Sequence, residues 1–242
     1  MIIKPEIFRN NQVKSIQSTR IGGSSEKPYD SMNLGVFGQD NKAQSNLNKF
    51  SLQYQLPHIP IFLNQVHKNQ VVEYADIPLK HGEKNADACF TRQKGVICSV
   101  LSADCLPVLM ANKQATVVAA VHCGWRGLYA DILLETIKKL NVDPGDLQCW
   151  LGPCISYKPY QVDEKFRSNF VKKDINLSHC FYQNKKAGWH ADLKKIAVVQ
   201  LESLGITDIS QTPYCTHGNE HMFYSYRRDK ETGRMASFIW LE

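Results

Sequence analysis

Val96-Ile97-Cys98-Ser99-Val100-Leu101, Leu106-Pro107-Val108-Leu109-Met110 and Thr116-Val117-Val118-Ala119-Ala120-Val121 are three short apolar or β-branched runs, set close together and bounded by turn residues. Runs of this length and composition read as strands. Ile61-Phe62-Leu63 and Val71-Val72 precede them, and Leu147 to Leu151 and Arg234 to Leu241 extend the pattern toward the C-terminus. Helical spacing occurs between some of these runs and not others. Asn41 to Gln55 aligns Ala43, Leu47, Phe50 and Tyr54 on one face. Leu128 to Leu140 aligns Leu128, Ile132, Leu133, Thr136, Ile137 and Leu140 before Asp143-Pro144-Gly145 stops it. Asp163 caps a helix carrying Phe166, Phe170 and Val171, and Asp192 caps one running to Gly205. Clustered strands with irregularly placed helices predict an α+β fold, mixed β-sheets flanked by helices, rather than a regularly alternating parallel sheet. No repeat or long Pro/Gly/Ser linker interrupts the chain, so residues 1–242 read as a single domain.

The composition is that of a globular protein, 43% hydrophobic and 21% charged, which excludes disordered and fibrous classes. The net charge of +6 is spread over short pairs, Lys138-Lys139, Lys172-Lys173, Lys185-Lys186 and Lys194-Lys195, with acids between them. That is solvated surface; a nucleic-acid binder shows a continuous basic run. Met1 to Glu6 carries no charged head followed by an apolar stretch, and Gly95 to Ala111 is broken by Ser99, Ser102, Asp104 and Pro107, so neither a secretory signal nor a membrane span is expected. Eight cysteines without a Cys-x-x-Cys pair, mostly in apolar surroundings, read as reduced thiols, and the expected location is the cytoplasm. A monomer is the default expectation.

Three segments end apolar runs with a metal-ligating residue type: Asn64-Gln65-Val66-His67, Ser102-Ala103-Asp104-Cys105 and Val121-His122-Cys123-Gly124-Trp125-Arg126-Gly127. Strand ends converge in space, and a His/Cys/His set leaves a tetrahedral zinc ion one open position. The spacing matches no local zinc signature, however. A histidine after a strand is commonly a hydrogen-bonded structural residue, and cysteine is among the most buried types.

Taken with Ala86-Asp87-Ala88, Leu101 to Val108, Leu151-Gly152-Pro153-Cys154-Ile155, Phe223 to Asp229, Arg20-Ile21-Gly22-Gly23-Ser24 and Asn33-Leu34-Gly35, these segments resemble the YfiH family, also called the laccase-domain or polyphenol oxidase family. The resemblance covers nearly the whole chain, in order. It implies a single-domain α+β fold shared with the cytotoxic necrotizing factor catalytic domain, and a metal held by His67, Cys105 and His122. It also implies phosphorolysis of adenosine, inosine, guanosine and methylthioadenosine to base plus ribose 1-phosphate, and deamination of adenosine to inosine. Zinc is the expected ion, and the expected partners are a purine nucleoside and phosphate, with no nucleic acid and no membrane.

For phosphorolysis, Arg20, Arg126, Arg227 and Arg228 are candidate anion forks, Asn33 a candidate substrate contact and Trp125 a candidate pocket wall. The His-x-Glu and Pro-Cys-x-x-Cys pair of nucleobase deaminases is absent, so deamination needs another geometry. A metal-free alternative makes Cys105 a thiolate nucleophile and His122 its base, in a hydrolase acting on an amide bond, for example in editing peptidoglycan precursors. A copper-dependent phenol oxidase is the least favoured reading: it needs several copper ions, and the eight histidines include no His-x-His pair. Cys215-Thr216-His217 reads as an ordinary strand and turn rather than a second metal site. Cys123, adjacent to His122 in a strand, is expected to point to the opposite face.

Overall fold

Period-two alternation along the central strands sorts their side chains onto two faces, and that sorting sets the layers of the molecule. The computed structural model describes residues 1–78, 80–184 and 188–242; the Lys185-Lys186 pair lies outside the described residues. A six-stranded mixed sheet runs in the spatial order Asp208–Gln211, Leu147–Leu151, Leu106–Asn112, Val118–Cys123, Ala88–Thr91, Val71–Glu73. Its two outermost pairings are parallel and its three central ones antiparallel. A four-stranded antiparallel sheet has the order Ile2–Ile3, Val13–Ser18, Met235–Leu241, Cys98–Ser102.

Leu109, Ala111, Val118 and Ala120 of the first sheet pack against Cys98, Val100, Ile239 and Leu241 of the second. The alternate residues, Val108, Met110, Ala119 and Val121, face the helices Ile132–Leu140 and Leu193–Ser203 instead. On the far side of the four-stranded sheet, Leu47 and Phe50 of the helix Ala43–Gln53 cover Ile97, Leu101 and Phe238. The result is one domain of four layers, helix, sheet, sheet, helix. All the large apolar groups on these faces are buried, each contributing roughly 1.5–3 kcal/mol of transfer free energy.

Both expected caps are present. Asp163 accepts from the backbone N of Phe166 at 2.6 Å, and Asp192 from that of Lys195 at 3.1 Å. Two expectations need correction. Ile61-Phe62-Leu63 is no strand: Phe62 and Leu63 are buried by their apolar character, but backbone pairing begins only at the single bridge from Asn64 to Asn85. The helix read from Leu128 to Leu140 is two helices, Trp125–Tyr129 and Ile132–Leu140, because Asp131 sits between them at φ 64° and breaks the hydrogen-bond ladder. The hairpin of Phe181–Asn184 and Gly188–Ala191, joined by Gln161–Val162, was not foreseen.

Gly152 extends the pairing of Leu147–Leu151 with Leu106–Asn112 at close approach: its N donates to the Pro107 carbonyl at 2.9 Å, and a Cβ there would lie 2.7 Å from Pro107 Cγ and 2.8 Å from the Trp150 ring. Gly152→Ala is expected to cost about 1–3 kcal/mol by overpacking. Urea unfolding with a lowered midpoint at unchanged m would show it.

Candidate active site

The chain from Leu101 to Leu106 passes from the four-stranded sheet to the six-stranded one, and the site lies at that crossing. Cys105 is on the crossing segment, His122 is on the strand Val118–Cys123, and His67 is on the loop before Val71–Glu73. Their ligand atoms all lie within 4.8 Å of one another, the only such group of three or more among the described residues. The two imidazoles meet edge to face, with centroids 4.8 Å apart. Cys123 belongs to the helix-side core, on the face opposite His122.

Asp87, which the sequence reading quoted but gave no role, organises this group. Fully buried, it accepts from the backbone N–H groups of Val66, His67 and Lys68 at 3.2, 2.9 and 2.8 Å, and pairs with His122 Nδ1 at 2.9 Å. The loop is thereby held with His67 at φ 57°, a region rare for non-glycine residues. With Nδ1 bound to a carboxylate, His122 Nε2 is left for the cluster, the arrangement that orients metal-ligating histidines. Asp104, at φ 91°, is held in the same way: its carboxylate accepts from Thr216 Oγ1 at 2.6 Å, Ser225 Oγ at 3.0 Å and Arg227 N at 2.6 Å. Gly124 leaves the room the cluster occupies, since a Cβ there would lie 3.2 Å from both Cys105 Sγ and His67 Cδ2.

Burial opposes a charged thiol at Cys105, but the charges and hydrogen bonds of His122 and His67 outweigh it and lower Cys105 to about 6. Burial likewise opposes a charged His122, while Cys105 and the bond to Asp87 lift it to about 9. Burial raises Asp87, and the bonds from His122, Lys68 and His67 more than reverse that, keeping it below the usual carboxylate range. One soft sulfur donor and two imidazoles, held by a buried carboxylate, suit zinc or another borderline-soft ion.

The group opens into a cavity of about 900 Å³, lined also by Asn33, Trp125, Arg126, Tyr160, Arg227 and Arg234. Arg126 lies over the Trp125 ring at 4.3 Å, and Arg227 over Tyr160 at 5.0 Å. Asn33 lines the wall with its amide already committed to Asp40, Gly35 and Arg234. Two sequence candidates are corrected. Arg20 is not among the lining residues: its guanidinium bonds the Asp30 and Glu220 carbonyls and pairs with the Asp30 carboxylate. Arg228 bonds the carbonyls of Thr216, His217 and Phe223 and pairs with Asp229. Cys215 accepts from Ser156 and Gly218, and Thr216 donates to Asp104, so this segment is a structural clasp. Arg234 was missed because it sits inside a run read only as a strand.

Residues 14–242 match the family model described as multi-copper polyphenol oxidoreductase laccase. The purine nucleoside phosphorylase YfiH of Escherichia coli (strain K12) is 40% identical over 242 residues, covering 99% of this chain and 98% of that relative. A purine nucleoside phosphorylase of Haemophilus influenzae is 39% identical over 244 residues, covering 99% of each. Among solved structures, a Neisseria meningitidis protein superposes with a TM-score of 0.93 at 34% identity, covering 100% of this chain and 99% of that one. The Bacillus licheniformis protein YfiH gives a TM-score of 0.89 at 27% identity, covering 96% and 94%.

In metal-stripped protein, iodoacetamide is expected to alkylate Cys105 at a rate that rises with pH through a midpoint near 6, because the thiolate is the nucleophile. His122→Ala removes the charge that holds the thiolate, and should move that midpoint up toward the ordinary thiol value of about 8.5. Mass spectrometry of the Cys105 peptide across pH measures both.

Proposed function

The chain belongs to the YfiH family, the family of the laccase-type polyphenol oxidoreductase model, and from that membership we propose that it is a zinc-dependent purine nucleoside phosphorylase that also deaminates adenosine. One observation carries the phosphorolysis reading. Of the chain's arginines, Arg9, Arg20, Arg92, Arg167 and Arg228 each pair with a carboxylate. The other three, Arg126, Arg227 and Arg234, have no such ion pair among the described residues, and all three line the one cavity that holds the His67/Cys105/His122 group. Guanidinium groups left without an internal anion in a concave site are what binding a phosphate requires.

In this reading Arg126 and Arg227 hold inorganic phosphate, with Trp125 and Tyr160 as the platforms that fix their guanidinium planes. Trp125 also supplies apolar wall for the substrate. A phosphate oxygen bonds to C1′ of the ribose while the C1′–N9 bond breaks. The purine departs with the bonding pair and takes up the proton of hydrogenphosphate. Zinc held by His67, Cys105 and His122 would supply Lewis acidity and positive charge at the cavity floor. Asp87 keeps His122 and the His67 loop in place for that ion. Several coppers are not accommodated: the described residues offer a single three-ligand group, and multi-copper oxidation needs a cluster.

The lowered thiol of Cys105 beside the raised imidazole of His122 supports a second reading, an amide hydrolase with a thiol nucleophile. Cys105→Asp separates the two, because a carboxylate ligates zinc but forms no acyl-thioester. Retained nucleoside turnover by this variant upholds the metal enzyme, and a covalent acyl adduct on zinc-free wild-type protein would replace it.

Chromatography of adenosine incubated with phosphate should show adenine and ribose 1-phosphate, with inosine as the product of deamination; no product with or without phosphate overturns the reading. His67→Ala and His122→Ala should lose both zinc and turnover with the far-UV spectrum unchanged. Asp87→Asn should weaken zinc binding about 10–100-fold, measured by competition with a chromophoric chelator.

A further inference from the structure

Among the described residues, Asp104 and Glu231 are the acids that line the cavity, and they are used differently. Asp104 is spent: its carboxylate accepts from Thr216, Ser225 and the Arg227 backbone. Glu231 is exposed and accepts one bond, from the Tyr29 hydroxyl to Oε1 at 2.7 Å. That bond raises Tyr29 above its ordinary value, so the phenol stays the donor. Among the described residues Glu231 forms no ion pair, although Arg126, Arg227 and Arg234 line the same cavity. Its Oε2 is thus left to accept from a ligand. A carboxylate without a counter-ion repels phosphate, so this part of the cavity suits donors that carry no negative charge.

Two hydroxyls beside this carboxylate lack partners as well. Thr232 follows Glu231 directly, and the segment runs on through Arg234 into the strand Met235–Leu241, whose first residue pairs with Ser102. Ser102 in turn leads into the crossing segment that carries Cys105. Ser102 and Thr232 both line the cavity and are 2% and 6% exposed, yet neither hydroxyl has a hydrogen-bond partner among the described residues. Buried hydroxyls are usually bonded, so two without partners on one cavity point to a group that enters it. Each can turn about Cα–Cβ between staggered positions, and each can donate as well as accept.

We propose that Glu231, Ser102 and Thr232 bind the 2′- and 3′-hydroxyls of the substrate's ribose, which makes the site selective for ribonucleosides over 2′-deoxyribonucleosides. The proposal rests on the nucleoside phosphorylase reading and names the part of the substrate that these residues recognise. A ribose diol offers O–H donors on adjacent carbons together with acceptor lone pairs. Glu231 takes the donors, as acidic side chains do for ribose in dinucleotide sites, and the two protein hydroxyls serve the lone pairs. The diol is neutral, so it sits beside a carboxylate without the repulsion a phosphate would meet.

The test compares adenosine with 2′-deoxyadenosine as substrate of the zinc-loaded protein at saturating phosphate, in wild type, Glu231→Ala, Ser102→Ala and Thr232→Val. In wild type the kcat/KM for adenosine should exceed that for 2′-deoxyadenosine by about tenfold or more, the scale of a hydroxyl–carboxylate bond, and Glu231→Ala should erase most of that ratio. Ser102→Ala and Thr232→Val should each lower it by about threefold, the scale of a bond between neutral groups. Glu231 is exposed, so its variant reports even if the two buried substitutions fail to fold. Adenosine phosphorolysis with a wild-type ratio near one, or a ratio that all three variants leave unchanged, overturns the ribose subsite and leaves the phosphorylase standing. If neither substrate is turned over, the phosphorylase reading fails, and equilibrium dialysis of the two labelled nucleosides decides the subsite alone. Tighter binding of adenosine that Glu231→Ala abolishes upholds it; equal binding of the two, or none, overturns it.

Discussion

The carboxylate of Asp87 is the contact on which the site depends. A fully buried carboxylate is costly unless every lone pair is used, and this one takes three consecutive backbone N–H groups and an imidazole. Its own carbonyl accepts from His122 N at 2.7 Å, so a single residue joins the His67 loop to the Val118–Cys123 strand through both backbone and side chain. Removing the acceptor leaves the buried His122 Nδ1 unpaired, at about 1–3 kcal/mol, and frees three part-buried backbone N–H groups of the His67 loop.

Asp104 repeats the device on the other side of Cys105. Its three donors come from Thr216, Ser225 and Arg227, segments more than a hundred residues away in the chain. The residue before the thiol is thereby tied to the helix that carries a cavity arginine. The segment of Cys105 and the backbone of Arg227 are consequently tied to the same carboxylate.

The layers were legible in the sequence because apolar alternation is a local property. Val118 and Ala120 alternate with Ala119 and Val121, and the structure divides them between two cores as period two requires. The capping aspartates were legible for the same reason. What escaped were features decided by distant partners. Ile61-Phe62-Leu63 has strand composition but no pairing strand beside it, and Asp131 breaks a well-patterned helix through its backbone conformation alone. The His67/Cys105/His122 grouping was read from strand ends and resemblance, and the geometry brings the three together. Arg20 could not be separated from Arg126 by sequence, because the Asp30 that occupies it faces it only in the folded chain.

The crossing of the chain between the two sheets at residues 101–106 also bears on the order of folding. The bonds that fix Asp104 span 112 to 123 residues, whereas each β-hairpin of the core closes over far shorter loops. The pairing of Val13–Ser18 with Met235–Leu241 in the four-stranded sheet joins the two ends of the chain, so it and the Asp104 bonds both carry a large loop-closure entropy and form late. A chain still being assembled can thus hold the hairpins of the six-stranded sheet and the helix caps while the four-stranded sheet is still unpaired. The meeting of His67, Cys105 and His122 then reports that both sheets have docked, which makes the site a record of completed folding.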